Sequence, residues 1–111
     1  MILPSTLVDK LTIPVMQAPM FLISGPDMVV NACKAGVVGS FPTQNARTPE
    51  ILDEWMEQIK SRLATDNVTT PWGVNLIVHP SYARGKEDLE VILKHQPPIV
   101  ITALGSPAAL V

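Results

Sequence analysis

The sequence predicts an α/β fold built on a parallel sheet: the N-terminal half of a (β/α)8 TIM barrel, with about four parallel strands, three helices and the stub of a further helix. Three observations carry this. Four apolar runs are continuous rather than alternating, as in strands covered on both faces. Helical patterns separate them in strict alternation, which implies parallel strands joined by right-handed crossovers. Strand starts fall roughly 25 to 35 residues apart, and eight such units would make about 250 residues, the ordinary size of this barrel.

The first run is Ile13-Pro14-Val15-Met16. A helix then starts at Gly25-Pro26, because proline suits the first helical position, where an N–H would go unpaired. Met28, Val29, Ala32 and Cys33 form its apolar face, and Gly36 can take the left-handed conformation that ends it. Val37 to Phe41 is the second strand. Thr48 caps the next helix, Pro49 fits its first position and Glu50 lies near the positive end of its dipole. Ile51, Trp55, Ile59 and Leu63 recur every four residues, with Leu52 and Met56 widening the stripe and Asp53, Glu54 and Glu57 on the solvated face. The third strand is Trp72 to Val78. A helix from Arg84 to His95, with Leu89, Ile92 and Leu93 inward, stops at Pro97-Pro98, and Ile99 to Leu104 is the fourth strand. Ser106 and Pro107 then mark a new helix start.

That last helix begins four residues before Val111. Half a barrel leaves unpaired strand edges and an apolar sheet face. The expectation is therefore one domain, residues 1–111, forming part of a longer barrel, with open edges that favour self-association. A complete flavodoxin-like sheet is the competing topology, but it needs a fifth strand or a final covering helix.

Composition narrows the function. Apolar residues make up 47% and charged residues 16%, a core-rich balance that argues against disorder. The net charge is −2 and the basic residues are scattered singly, so no stripe is available to neutralise phosphates and nucleic-acid binding is disfavoured. Cys33 is the only cysteine, and no Cys/His cluster has metal-ligand spacing. Met1-Ile2-Leu3-Pro4 has no basic n-region, and no apolar stretch approaches the ~20 residues of a membrane span. A cytoplasmic compartment is expected.

In such barrels the active site lies at the carboxyl ends of the strands. That selects four segments. In Gln17-Ala18-Pro19-Met20, Ala18 lets a flat ligand approach the backbone, and Met20 can offer its N–H and a soft side chain to an aromatic ring. In Gly39 to Thr43, Ser40 has no nearby His or Asp to activate it, so turn chemistry is favoured. Asn75 lies among apolar strand residues, where an amide needs partners; it serves either a heterocycle edge or a neighbouring strand. His79, alone in a loop, reads as solvated. At Gly105-Ser106 a helix start could receive an anion or simply be a cap.

Taken together, Pro14 to Met20, Ala35-Gly36-Val37-Val38-Gly39-Ser40, Pro71-Trp72-Gly73-Val74-Asn75-Leu76 and Pro98 to Gly105 resemble the nitronate monooxygenase family, formerly called 2-nitropropane dioxygenases. The likeness runs in order over essentially the whole chain. The Ala-Pro-Met turn alone also occurs in IMP dehydrogenase and other flavin- or phosphate-binding barrels. The resemblance implies an FMN-dependent oxidoreductase that oxidises alkyl nitronates with O2 to carbonyl compounds and nitrite. It implies that Ala18, Pro19 and Met20 line the flavin ring and that Asn75 hydrogen-bonds the cofactor. The family's phosphate loops and active-site histidine come from later strands, so no catalytic residue is assigned within residues 1–111. An FMN-dependent enoyl-acyl-carrier-protein reductase is the alternative enzyme, and a non-catalytic fragment or interaction module the alternative class.

Overall fold

In the computed structural model, which describes residues 4–111, the chain runs through α1 (Ser5–Val8), α2 (Pro26–Lys34), β1 (Gly39–Pro42), α3 (Pro49–Thr65), β2 (Trp72–Ile77), α4 (Gly85–His95) and β3 (Ile99–Ala103). Short 3-10 turns occupy Thr43–Asn45 and Pro107–Ala109. Met1, Ile2 and Leu3, which opened the signal-peptide reading, lie outside the described residues. The sequence pattern gave no expectation of α1.

The three strands form a parallel sheet in the order β1-β2-β3. α2 packs on β1 and α3, α3 on α4, and α4 on β2, so the helices make one layer over the sheet. The core lies between the two layers, from Val29, Val30, Phe41, Leu52, Met56, Ile59, Val74, Leu76 and Ile92. Side chains alternate across a strand. Because Val74 and Leu76 join this core, Asn75 and Ile77 point to the sheet's other face. Pro42, Asn75 and Ile101 are aligned as register partners across it.

The first predicted strand is not a strand in the structure. Met16 makes only an isolated parallel bridge to Val38, through Val38 N–H to the Val15 carbonyl (3.1 Å) and Gln17 N–H to the Val38 carbonyl (2.8 Å). Two local causes interrupt it. Pro14 has no N–H, and the Val15 N–H folds back onto the Ile13 carbonyl at 2.8 Å. The continuous apolar run also does not mean burial here: Ile13, Val15 and Met16 are all exposed. The runs at Val37 to Phe41, Trp72 to Val78 and Ile99 to Leu104 do form strands: β1 starts two residues later than its run and extends one further, to Pro42, and β2 and β3 each end one residue sooner. β3, which among the described residues has a partner on one edge only, is half-buried throughout.

The helix starts follow the capping chemistry. Pro26 opens α2 after an extended Gly25, and the chain leaves that helix through Gly36 at φ +84°. The Thr48 hydroxyl accepts the Ile51 N–H at 3.1 Å, with Pro49 next in line. Ser106 caps the last turn by accepting the Ala108 N–H at 3.2 Å. Two side-chain assignments change. Leu93 is exposed, while Asp88, Ile92 and His95 are the buried residues of α4. Asp53 is not merely solvated: it receives Lys94 Nζ at 2.7 Å and His95 Nε2 at 2.6 Å, which ties α3 to α4.

Candidate functional site

The segments after Met16, β1, β2 and β3 all emerge at the carboxyl end of the parallel sheet. The first is organised by Gln17. Its main chain continues the bridge to Val38, and its side chain substitutes for further strand pairing. The Ser40 N–H donates to Gln17 Oε1 (3.0 Å), and the Ser40 hydroxyl donates to the Gln17 carbonyl (2.6 Å). Gln17 Nε2 donates onward to the Ala18 carbonyl and to Ser24 Oγ, the latter at 3.2 Å.

Buried Ser24 closes the turn. Its oxygen accepts the Met20 N–H at 2.8 Å and donates to the Ala18 carbonyl at 3.4 Å. The expectation that Met20 offers its N–H to a ligand is therefore corrected: that donor is spent within the turn. The Ala18 N–H has no partner among the described residues, and Pro19 has none to give. Ala18 and the Met20 side chain are exposed, and Pro19 is half-buried.

Asn75 lies across β1 from this turn, two strand spacings or roughly 10 Å away. It is half-buried on the face that the helices do not cover. Nδ2 donates to the Ile101 carbonyl at 2.9 Å. A primary amide has two N–H donors and a carbonyl oxygen. One N–H is used on the neighbouring strand, while the other and Oδ1 have no partner among the described residues. The strand tie and a ligand contact are thus compatible in one side chain.

The remaining sequence candidates are occupied structurally. Ser40 is buried and bonded to Gln17. Thr43 is buried, with its hydroxyl 3.5 Å from Tyr82 Oη. His79 is exposed and turned onto its own loop, where Nδ1 accepts the Ser81 N–H at 3.1 Å. Behind these loops, buried Asp88 takes the Tyr82 hydroxyl at 2.6 Å and Arg84 at 2.9 Å, and Arg84 also donates to the Ala46 carbonyl at 2.7 Å. Burial, reinforced by the bond to Asp88, pushes the Tyr82 phenol upward. Two residues that hold the first turn, Ser24 within its own loop and Asn45 in the 3-10 turn after β1, give no signal in the sequence. Small polar residues in loops give no signal of partners that are distant in the chain.

Comparison with known proteins decides the architecture. The chain is similar to FabK from Thermotoga maritima, with a TM-score of 0.71 at 21% identity over 93% of this chain and 30% of that one. A point mutant of the same FabK gives 0.70 at 21% identity, over 93% and 32%. The fold is that of the N-terminal part of a TIM barrel. The chain spans about a third of the length of these structures. No protein-family model matches it. No curated protein matches it either. Among the described residues no helix is long and apolar enough to cross a membrane, and no group of three or more His, Cys, Asp or Glu side chains is gathered to hold a metal ion.

Proposed function

We propose that this chain, as a single domain portion over residues 1–111, supplies one wall of an FMN site in an oxidoreductase on a (β/α)8 barrel. The observation that carries the reading is the pair of open polar groups at the carboxyl end of the sheet, the Ala18 N–H on one side of β1 and Asn75 Oδ1 on the other. The Ala18-Pro19-Met20 turn is uncharged, with Ala18 and Met20 exposed, and a flat ring can lie against it. Ala18, Pro19 and Met20 would line the ring, and Asn75 would hydrogen-bond its edge. The cofactor would supply the electron transfer; these residues would bind and orient it and keep water from its face.

Two reactions fit this wall. The ordered motifs favour oxidation of alkyl nitronates with O2 to carbonyl compounds and nitrite. The likeness to FabK, an enoyl-acyl-carrier-protein reductase, favours reduction of an enoyl thioester. The active-site base is sought outside residues 1–111 in either case. The free, buried thiol of Cys33 is compatible with a cytoplasmic setting, and the exposed Ile13, Val15 and Met16 edge favours self-association of the isolated chain.

The test is an FMN titration of this chain, followed by paired assays on a complete barrel that contains it. Quenching of FMN fluorescence by the chain is expected. Nitrite release from a nitronate under air supports the first reaction; NADH or NADPH consumption with an enoyl thioester supports the second. A protein that leaves FMN fluorescence unchanged removes the flavin reading.

A further inference from the structure

Asn45 lies in the 3-10 turn after β1, in a different loop from the Ala18–Met20 turn, yet its side chain is used entirely on that turn's continuation. Nδ2 donates to the Met20 carbonyl (2.9 Å) and to the Ser24 carbonyl (2.8 Å), while Oδ1 accepts the Leu22 N–H (2.9 Å). Both donors and the acceptor of the amide are engaged. Between those anchor points Leu22 adopts φ +64°, a left-handed conformation that a leucine rarely takes without external support. Burial does not provide the support. Phe21, Leu22 and Ile23 are 61%, 78% and 65% exposed, so their side chains do little to hold the backbone shape. Within the turn the Ile23 and Ser24 N–H groups both donate to the Met20 carbonyl, at 3.1 and 3.0 Å; the side-chain cross-links are those of Asn45 and of Ser24, whose oxygen takes the Met20 N–H at 2.8 Å.

We propose that Asn45 is a positioning residue for the flavin-facing turn. It fixes Met20 and Ser24 from the neighbouring loop and, through Ser24, sets where Ala18 and Met20 stand. This rests on the reading of Ala18 to Met20 as a flavin wall. Asn45 itself acts through backbone groups and does not touch the ligand. The arrangement couples two successive loops at the carboxyl end of the sheet, so displacing the Thr43–Asn45 turn displaces the site.

The experiment compares the wild-type chain with Asn45→Ala and Asn45→Asp by two readouts. Chymotrypsin cleavage after Phe21 and Leu22, without FMN, reports the order of the turn. FMN fluorescence quenching reports the site. Asn45→Ala removes all three bonds. Asn45→Asp keeps the size and the bond from Leu22, but turns a carboxylate oxygen towards two carbonyls. Both variants are expected to be cleaved at least tenfold faster and to bind FMN at least tenfold more weakly, with unchanged far-ultraviolet circular dichroism. Adding Leu22→Asn to Asn45→Ala is expected to recover part of the affinity, because asparagine tolerates the left-handed region; general loss of structure would not be recovered this way. Unchanged cleavage, or unchanged FMN affinity beside a wild type that binds, overturns the positioning role alone. A wild type that does not quench FMN overturns the flavin reading and this role with it.

Discussion

Asn75 and Ile101 are register partners across β2 and β3, and they are joined a second time by the Asn75 side chain, whose Nδ2 donates to the Ile101 carbonyl at 2.9 Å. This bond holds the amide in one rotamer and leaves Oδ1 open on the uncovered face. Asn75→Leu removes the tie and is expected to cost about 1 kcal/mol in urea unfolding. Asn75→Asp places an acceptor against an acceptor and should cost about 1–3 kcal/mol. If Oδ1 also contacts the flavin, both substitutions weaken FMN binding beyond their effect on stability. Unfolding midpoints equal to wild type for both variants would show that the tie contributes nothing.

Gly39 opens β1 directly against α2. A β-carbon there would collide with the Val29 carbonyl oxygen and come within 2.8 Å of Val29 Cα, a backbone obstacle that cannot rotate away. Gly39→Ala therefore has to push β1 and α2 apart, at an expected cost of about 3 kcal/mol. The same shift would move Ser40 away from Gln17, so FMN affinity should fall as well. Chemical denaturation checks the first effect; a midpoint within error of wild type would refute the close approach.

Cys33 is 1% exposed at the inner face of α2. Burial pushes its thiol above the usual cysteine range, outweighing a bond from the Gly39 backbone that acts in the opposite direction. Reactivity belongs to the thiolate and requires access. Ellman's reagent at pH 8 is expected to label the native chain at least a hundredfold more slowly than the chain in urea. Rapid native labelling would mean that the region between α2 and β1 opens readily.

The sequence made some of this legible and hid the rest for physical reasons. α3 was readable because its determinants are local: Thr48 and Pro49 at the start, then apolar residues at helical spacing. The strands β1 to β3 were readable as apolar runs between helices. The Ile13 to Met16 run failed because an apolar run reports composition, whereas a strand needs free N–H groups along its length; Pro14 and the Ile13–Val15 turn remove them and leave the single bridge from Met16 to Val38. Leu93, expected inward, is exposed, while His95 is buried where it meets Asp53 on α3, a contact that no pattern within α4 encodes. The turn at Ala18 to Met20 was visible as a motif. Its supports, Ser24 and Asn45, were not, since their roles depend on hydrogen bonds made only after folding.

The Asp53 contacts give a pH dependence with a definite sign. Hydrogen bonds from Lys94 first, and then from His95, hold the Asp53 carboxyl below its usual range. The unfolded chain therefore takes up a proton at this site at higher pH than the folded chain does. The stabilisation is complete above the unfolded value, about 4, and is lost as pH falls through the lower folded value. Asp53 is partly exposed and its two partners lie on α4, so salt should shrink the effect. Asp53→Asn removes the titrating group and keeps the shape. Urea midpoints measured from pH 7 downward should show the wild type more stable than Asp53→Asn at neutral pH. The wild-type curve should then fall more steeply below about pH 4, and the two should converge in acid. Curves that stay parallel through that window would mean that the α3–α4 tie does not depend on the charge of Asp53.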